Sequence, residues 1–204
     1  MVEICLYKKS LLFKKLMLMM YRFAPASPEE TIVFGASRPG YSQQEVRDWI
    51  TFMQQQEVKR ICCLLPHEQL TGYSNLLGTY QQEFGSQQVC QAAIADFHIA
   101  DISSMTQKIL PFLIAANQLN EKVVVHCSGG IGRTGHVLAA WLVSVRGFSN
   151  QDAIAAVKLT GRNPYEAVIA SIFRGKNPFK VAQELDKLLN NSRLIVHHQY
   201  FGNN

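Results

Sequence analysis

The sequence predicts an α/β fold: a three-layer sandwich with a central, mostly parallel sheet of four to five strands and helices on both faces. Short β-rich apolar runs near 31–34, 59–65, 88–95 and 122–126 alternate with longer segments of helical period. The run VKRICCLLP (58–66) is almost continuously apolar, as a strand buried on both faces of a parallel sheet should be. With 48% hydrophobic residues over 204 positions, the chain can build one globular domain with a substantial core.

Residues 1–22 are expected to form a basic, apolar extension, 23–191 the domain, and 192–204 a poorly ordered tail. The extension holds +4 of the formal net charge of +5, so the remainder is nearly neutral. The basic pI therefore does not signal a nucleic-acid surface, and no stacking or groove-reading motif supports one. Lysine pairs interrupt the apolar residues before the ~18 needed to span a bilayer, and they break a signal-peptide core as well. An extension that starts ahead of Met17, Met19 or Met20, with residues 1–20 dispensable, is preferred to a helix lying on a membrane. The five cysteines are odd in number and lack zinc-type spacing, which suits a reducing, cytoplasmic setting with free thiols. Cys62 and Cys63 are adjacent, so they point to opposite faces of their strand.

In chain order, TIVFG (31–35) is a strand stopped by Gly35, and ASRPGYS is a turn in which Arg38 is expected at the surface. SQQEVRDWITFMQQQ (42–56) is a helix, with Val46, Trp49, Ile50, Phe52 and Met53 on its apolar side. Residues 67–84 read as helix and loop broken at Gly72 and Gly78. VCQAAIAD (89–96) is the third strand. Residues 102–119 form a helix kinked at Pro111, and further helices are expected over 136–147, 149–161, 164–175 and 180–189. Ser149 with Asp152 makes a capping-box variant.

The chemistry concentrates in VVVHCSGGIGRTG, Val123 to Gly135. Three β-branched residues lead into His126 and Cys127, and then Ser128, Gly129, Gly130, Ile131 and Gly132 form a glycine-rich turn. Arg133, Thr134 and Gly135 open an apolar helix. Strand, tight loop and helix start together place backbone N–H groups around one point at the positive helix end, an anion site. Arg133, six residues after Cys127, can fork two phosphate oxygens while the amides of 128–133 hold the others. The same field favours a thiolate at Cys127, a nucleophile placed below the phosphorus.

HCSGGIGRT resembles the active-site loop of the cysteine-dependent protein tyrosine phosphatase superfamily, and its Gly-x-Gly-Arg-Thr-Gly ending looks most like the dual-specificity branch. The stretch GASRPG is similar to the segment after the first strand in prokaryotic dual-specificity-like phosphatases. The resemblance implies a protein tyrosine phosphatase-like sandwich and hydrolysis of phosphomonoesters through a phosphocysteine, without metal or cofactor. IADFHIADI (94–102) resembles the family's acid loop. Aligned so, Asp96 is the general acid, 31 residues before Cys127, and Asp101 caps the next helix. Ala100 stands where the family usually has proline, and His98 is expected to cap or pack. The resemblance also makes Thr134 a hydroxyl donor to the leaving thiolate. His126 precedes the nucleophile on the strand, so its side chain points to the other sheet face; it is read as an orienter of the loop that can bond loop carbonyls. Arg162, Asn163 and Glu166 are the candidates for positioning water. In some relatives a cysteine near the second strand pairs with the catalytic one; here Cys62 and Cys63 are read as core, and Cys90 is left open.

The expected partner is a phosphorylated protein or peptide carrying phosphotyrosine, with phosphoserine and phosphothreonine as further esters, met by a monomer. Ser128 and Ile131 occupy positions that are lysine in phosphoinositide-directed relatives, which disfavours that substrate. Two rivals stand beside the hydrolase: a pseudophosphatase that only holds a phosphorylated partner, and a thiol redox enzyme that pairs Cys127 with another cysteine.

Overall fold

The computed structural model describes residues 16–200. Residues 1–15 and 201–204, with Cys5 and most of the predicted extension's lysines, lie outside the described residues.

Five strands form one sheet in the order β1-β2-β5-β3-β4. They are β1 (Ala24–Pro25), β2 (Val33–Ser37), β3 (Val58–Cys63), β4 (Val89–Gln91) and β5 (Lys122–Cys127). Only the two-residue β1 runs antiparallel; it pairs with β2 and has no sequence signature of its own. Around the sheet lie α1 (Gln43–Gln55), α2 (His67–Leu70) and α3 (Leu76–Phe84), followed by a helix α4 that starts at Ile102–Ser104 and ends with Leu110–Gln118. Then come α5 (Gly132–Val145), α6 (Asn150–Leu159), α7 (Glu166–Phe173) and α8 (Pro178–Tyr200).

Strand alternation splits the core in two. Val123, Val125 and Cys127 of β5 join the cluster under α4, α5, α6 and α8, while Val124 joins Trp49, Met53 and Tyr80 of α1 and α3 on the other face. Cys62 and Cys63 divide the same way, so the adjacent thiols do face opposite layers. Helices start where a side chain accepts an early N–H. Ser42 and Glu45 form a full capping box, and Asn75, Asp101 and Ser149 cap α3, α4 and α6. Gly78 lies inside the first turn of α3, its N–H taken by the Asn75 side chain, and does not break the helix. In α4 the expected proline effect takes a specific form. A π turn at Met105–Ile109 widens the helix just before Pro111, whose missing N–H and bulky ring would disrupt a regular α-helical turn.

Two predicted boundaries move. Met17 and Leu18 pack against the α1–α3 core, Tyr21 and Phe23 are buried in it, and the Ser37 N–H donates to the Tyr21 carbonyl at 2.8 Å. Met17, Leu18, Tyr21 and Phe23 thus pack with the folded unit, and removing residues 1–20 would strip Met17 and Leu18 from that core. The predicted tail also begins inside α8, because Ser192 is fully buried and bonds the Leu188 carbonyl.

Glu30 ties the start of the domain to α5. Its buried carboxylate accepts from the indole N–H of Trp141 at 2.8 Å and from Arg146 Nε at 2.9 Å, as well as from the Ile32 N–H at 2.8 Å. Burial alone would raise its pKa, but these donors together hold it below the usual 4.5. Glu30→Ala leaves the buried Trp141 N–H without an acceptor and removes the ion-pair partner of the part-exposed Arg146, so urea unfolding at neutral pH should show a loss of about 1–3 kcal/mol. The wild-type contribution is complete above pH 4.5 and disappears as pH falls below it, so the gap between variant and wild type should shrink in acid.

Candidate active site

The C-terminal end of β5 turns directly into the N-terminus of α5, beside the β2 edge. The loop between them is held from outside. The Arg38 N–H donates to the carbonyls of Cys127 (2.9 Å) and Ser128 (3.2 Å). In a trans peptide, carbonyl and N–H point opposite ways, so fixing these two carbonyls outward turns the amides of Ser128 and Gly129 inward. Gly130 sits at φ 68, and a Cβ there would lie 2.6 Å from the Ala36 carbonyl group. Only glycine allows both that conformation and that closeness.

Inside the loop, Cys127 is buried on the α5 side of the sheet, and its Sγ receives two donors at 3.2 Å: the Gly130 N–H and the Thr134 hydroxyl. Such donors suit a sulfur anion. Arg133 is buried, and one of its nitrogens, Nη2, faces the half-exposed Asp96 Oδ1 at 3.0 Å. The other, Nη1, donates to Gln69 Oε1 (3.0 Å) and the Ile94 carbonyl (3.1 Å). The structure therefore brings together Cys127, Arg133, Thr134, the glycine loop and Asp96, all of which sequence reasoning had assembled. Asp101 stands apart as the α4 cap.

Other residues need correction. His126 does not bond loop carbonyls. Its ring points to the opposite face, between the rings of Trp49 (5.3 Å) and Tyr80 (5.7 Å), and neither nitrogen has a partner of full hydrogen-bond geometry. Burial drives its pKa down to about 3, so the ring is neutral. Arg38 is not a free surface arginine. Besides its backbone role, its side chain donates to Tyr73 Oη at 2.7 Å and to Ser128 Oγ at 3.3 Å, and stacks on Tyr41. Arg162 is structural: it is buried and donates to the carbonyls of Arg22, Ala24, Gly35 and Thr160, which ties β1 and β2 to the end of α6. Asn163 accepts from the Tyr165 N–H in a local turn.

Of the three candidates after α6, only Glu166 reaches the loop. A Cβ built on Gly132 would lie 2.0 Å from Glu166 Oε2, so the carboxyl packs directly on that residue and bonds its backbone. Burial raises the Glu166 pKa above the usual range; the Asp96 charge adds to this, while the Gly132 backbone and Arg133 oppose it. His98 is exposed and makes a local contact, its Nδ1 2.9 Å from the Asp96 carbonyl.

Sequence reasoning missed two residues. Gln69 bridges Arg133 and Asp96, its Nε2 3.4 Å from Asp96 Oδ2. His136, buried in the first turn of α5, accepts the Ala100 N–H on Nε2 at 3.2 Å. Ala100 replaces the family's proline, and proline has no N–H to give. Here a hydrogen bond secures the acid loop where a ring elsewhere would stiffen it. Burial, with Arg133 nearby, holds the His136 pKa near 3, which keeps the acceptor lone pair free.

With the geometry in place, the comparisons are decisive. Residues 45–167 match the dual specificity phosphatase catalytic domain. The chain belongs to that family. It is 34% identical over 65 residues to human dual specificity protein phosphatase 5, a match that spans 32% of this chain and 17% of that protein. The chain thus matches well under a fifth of that curated relative. Among solved structures it resembles Tk-PTP in its active form (22% identity, 78% of this chain and 93% of the other, TM-score 0.58). It also resembles kinase associated phosphatase carrying a Cys-to-Ser change at its catalytic site (21% identity, 76% and 86%, TM-score 0.59). PTPMT1 in complex with PI(5)P is similar too (14% identity, 82% and 96%, TM-score 0.58). These likenesses establish the protein tyrosine phosphatase-like fold expected from the sequence. Among the described residues no helix is long and apolar enough to cross a membrane, and no three His, Cys, Asp or Glu side chains group as a metal site.

The two buried histidines make stability depend on pH. Both have folded pKa values near 3 against an ordinary 6.5, so the unfolded chain takes up protons that the folded chain refuses. Unfolding free energy should be fully retained above pH 6.5 and decline below it, by up to about 1.4 kcal/mol per pH unit for each histidine. Urea melts of wild type and His136→Leu between pH 7 and 5 should show the variant losing one histidine's share of that slope. Equal slopes would show that His136 titrates normally.

Proposed function

We propose that the chain hydrolyses phosphomonoesters by a two-step reaction at Cys127. The observation that carries this reading is the Cys127 sulfur under two donors at 3.2 Å, with the Arg133–Asp96 ion pair alongside. An arriving phosphate takes the Arg133 guanidinium from Asp96, because a dianion binds the planar fork more strongly than one carboxylate does. The freed Asp96 stays within reach through Gln69. Released from Arg133, the Asp96 carboxylate takes up a proton from solvent; the thiolate then attacks phosphorus, the bond to the leaving oxygen breaks, and Asp96 passes that proton to the oxygen. Water then attacks the phosphocysteine and passes its proton to Asp96. The S–P bond breaks, and the Thr134 hydroxyl supports the departing thiolate as inorganic phosphate leaves.

Phosphotyrosine in proteins, with phosphoserine or phosphothreonine, is the substrate class this family membership favours. PTPMT1 with PI(5)P supports a phosphoinositide as the second reading, and Ser128 and Ile131 in place of loop lysines weigh against it. The four described cysteines are free, consistent with action in a reducing compartment. Retention of Cys127, Arg133 and Asp96 favours turnover over mere binding of a phosphorylated partner.

Cys127→Ser should abolish release of phosphate from a small aryl phosphate while the protein still binds phosphopeptide. Asp96→Asn should lower kcat by about 10²–10⁴ with folding unchanged. Undiminished turnover by Cys127→Ser would exclude the covalent route. Because Glu166 lies against the loop, its ionisation repels a phosphate dianion. KM should therefore rise with pH as Glu166 loses its proton, and Glu166→Gln should flatten that rise; an unchanged profile would remove Glu166 from the binding pocket's electrostatics.

A further inference from the structure

Helix α7 is a short strut between two loops. At its first residue, Glu166 packs on Gly132 of the catalytic loop. Buried Ala167 and Ser171 seat the helix on the domain. Just past its last residue, Arg174 reaches the acid loop. Its Nη1 is 3.4 Å from the Asp96 carbonyl, and the guanidinium lies 4.9 Å from the centre of the Phe97 ring. The end that carries Arg174 is fixed, since Gly175 closes the helix at φ 66 and the Lys176 N–H donates to the Ser171 carbonyl at 2.9 Å.

Arg174 meets a turn that is strained by its own sequence. The His98 N–H donates to the Ala95 carbonyl at 3.2 Å, and Phe97, third residue of that turn, has φ 58. Such a position favours glycine or asparagine, and a bulky side chain is strained there. Phe97 is 40% exposed, so burial of its ring in the core does not offset the strain. The contacts that hold the turn come from the α7 end. Arg174 covers the Phe97 ring and grips the carbonyl of the residue before it. Lys176 Nζ is 3.4 Å from His98 Nε2, and His98 Nδ1 is 2.9 Å from that same Asp96 carbonyl. A His98 ring with its hydrogen on Nδ1 serves both contacts at once.

This grip on the backbone matters when the carboxylate is released. Asp96 Oδ1 is held here by Arg133 at 3.0 Å. In the two-step reaction proposed above, phosphate takes that guanidinium, and the half-exposed carboxyl keeps only the long contact from Gln69, at 3.4 Å. Its aim then depends on how firmly its peptide is held. We propose, resting on that reading, that Arg174 is a positioning residue for the general acid. It fixes the Asp96 carbonyl from the end of α7, so that the carboxyl points at the leaving oxygen, and it does not itself touch the substrate. Because α7 also bears on Gly132, one helix sets the acid against the catalytic loop.

The test compares full-chain variants on two soluble esters. The leaving oxygen of phenyl phosphate needs a proton, and that of dinitrophenyl phosphate does not. Arg174→Ala should lower kcat/KM for phenyl phosphate about tenfold and leave that for dinitrophenyl phosphate within about twofold, a share of the about 10²–10⁴-fold that a positioned acid supplies. Asp96→Asn should show the same selectivity with a larger loss, and Asp96→Asn/Arg174→Ala should lose no more than Asp96→Asn alone. Equal losses on both esters, or no loss on either, would overturn the proposal while leaving Asp96 as the acid. So would a further loss in the double variant, which would place the effect of Arg174 outside Asp96. An Asp96→Asn variant that treats the two esters alike would overturn the reading of Asp96, and this proposal with it.

Discussion

The proposed reaction would bring a sulfur anion and a phosphate dianion into one small pocket, and their repulsion is the constraint that the rest of the site answers. Water would screen such charges; a buried pocket does not. The protein answers with fixed positive ends: inward-turned amides, the N-terminus of α5 and the Arg133 guanidinium. Amides can turn inward only if their carbonyls turn outward and are satisfied there. The Arg38 backbone N–H does this for Cys127 and Ser128, and Gly130 lets the loop lie against Ala36 and Ser37. The parallel β2–β5 pairing brings those segments together, so the sheet topology and the anion site are one construction.

The second carboxylate problem is solved by exchange. Asp96 and Glu166 both lie near Arg133, and two carboxyls beside an anion site would hinder phosphate if both were ionised and fixed. Asp96 is paired with the guanidinium that phosphate would claim in the proposed reaction, and burial pushes Glu166 toward its neutral form. Gln69 and His136 keep the acid loop in place from two sides, one at the carboxylate and one at Ala100. His136 can do so only while neutral, which its burial secures.

Where the chemistry is local, the sequence made it legible. Cys127 and Arg133 belong to one strand–loop–helix stretch, and the alternation of apolar runs was sufficient for the layers of the sheet. Asp96 became legible through its likeness to an acid loop, since a strand-end aspartate by itself reads as a turn former. Gln69, Arg38 and His136 were not legible because their partners lie 27 to 90 residues away and the contacts exist only after folding. For His126, strand alternation gave the sheet face; its ring neighbours there, Trp49 and Tyr80, belong to other elements and were not legible. The two-residue β1 is too short to leave a period, and Ser192 reads as a polar tail residue until the fold buries it.

The most direct test is rapid acid quench of the wild-type enzyme turning over an aryl phosphate, followed by peptide mass spectrometry. The account predicts a phosphoryl group on the peptide that contains Cys127, formed and lost at rates compatible with turnover. Turnover with no phosphorylated cysteine at any quench time, or with the phosphoryl group on another residue, would contradict it.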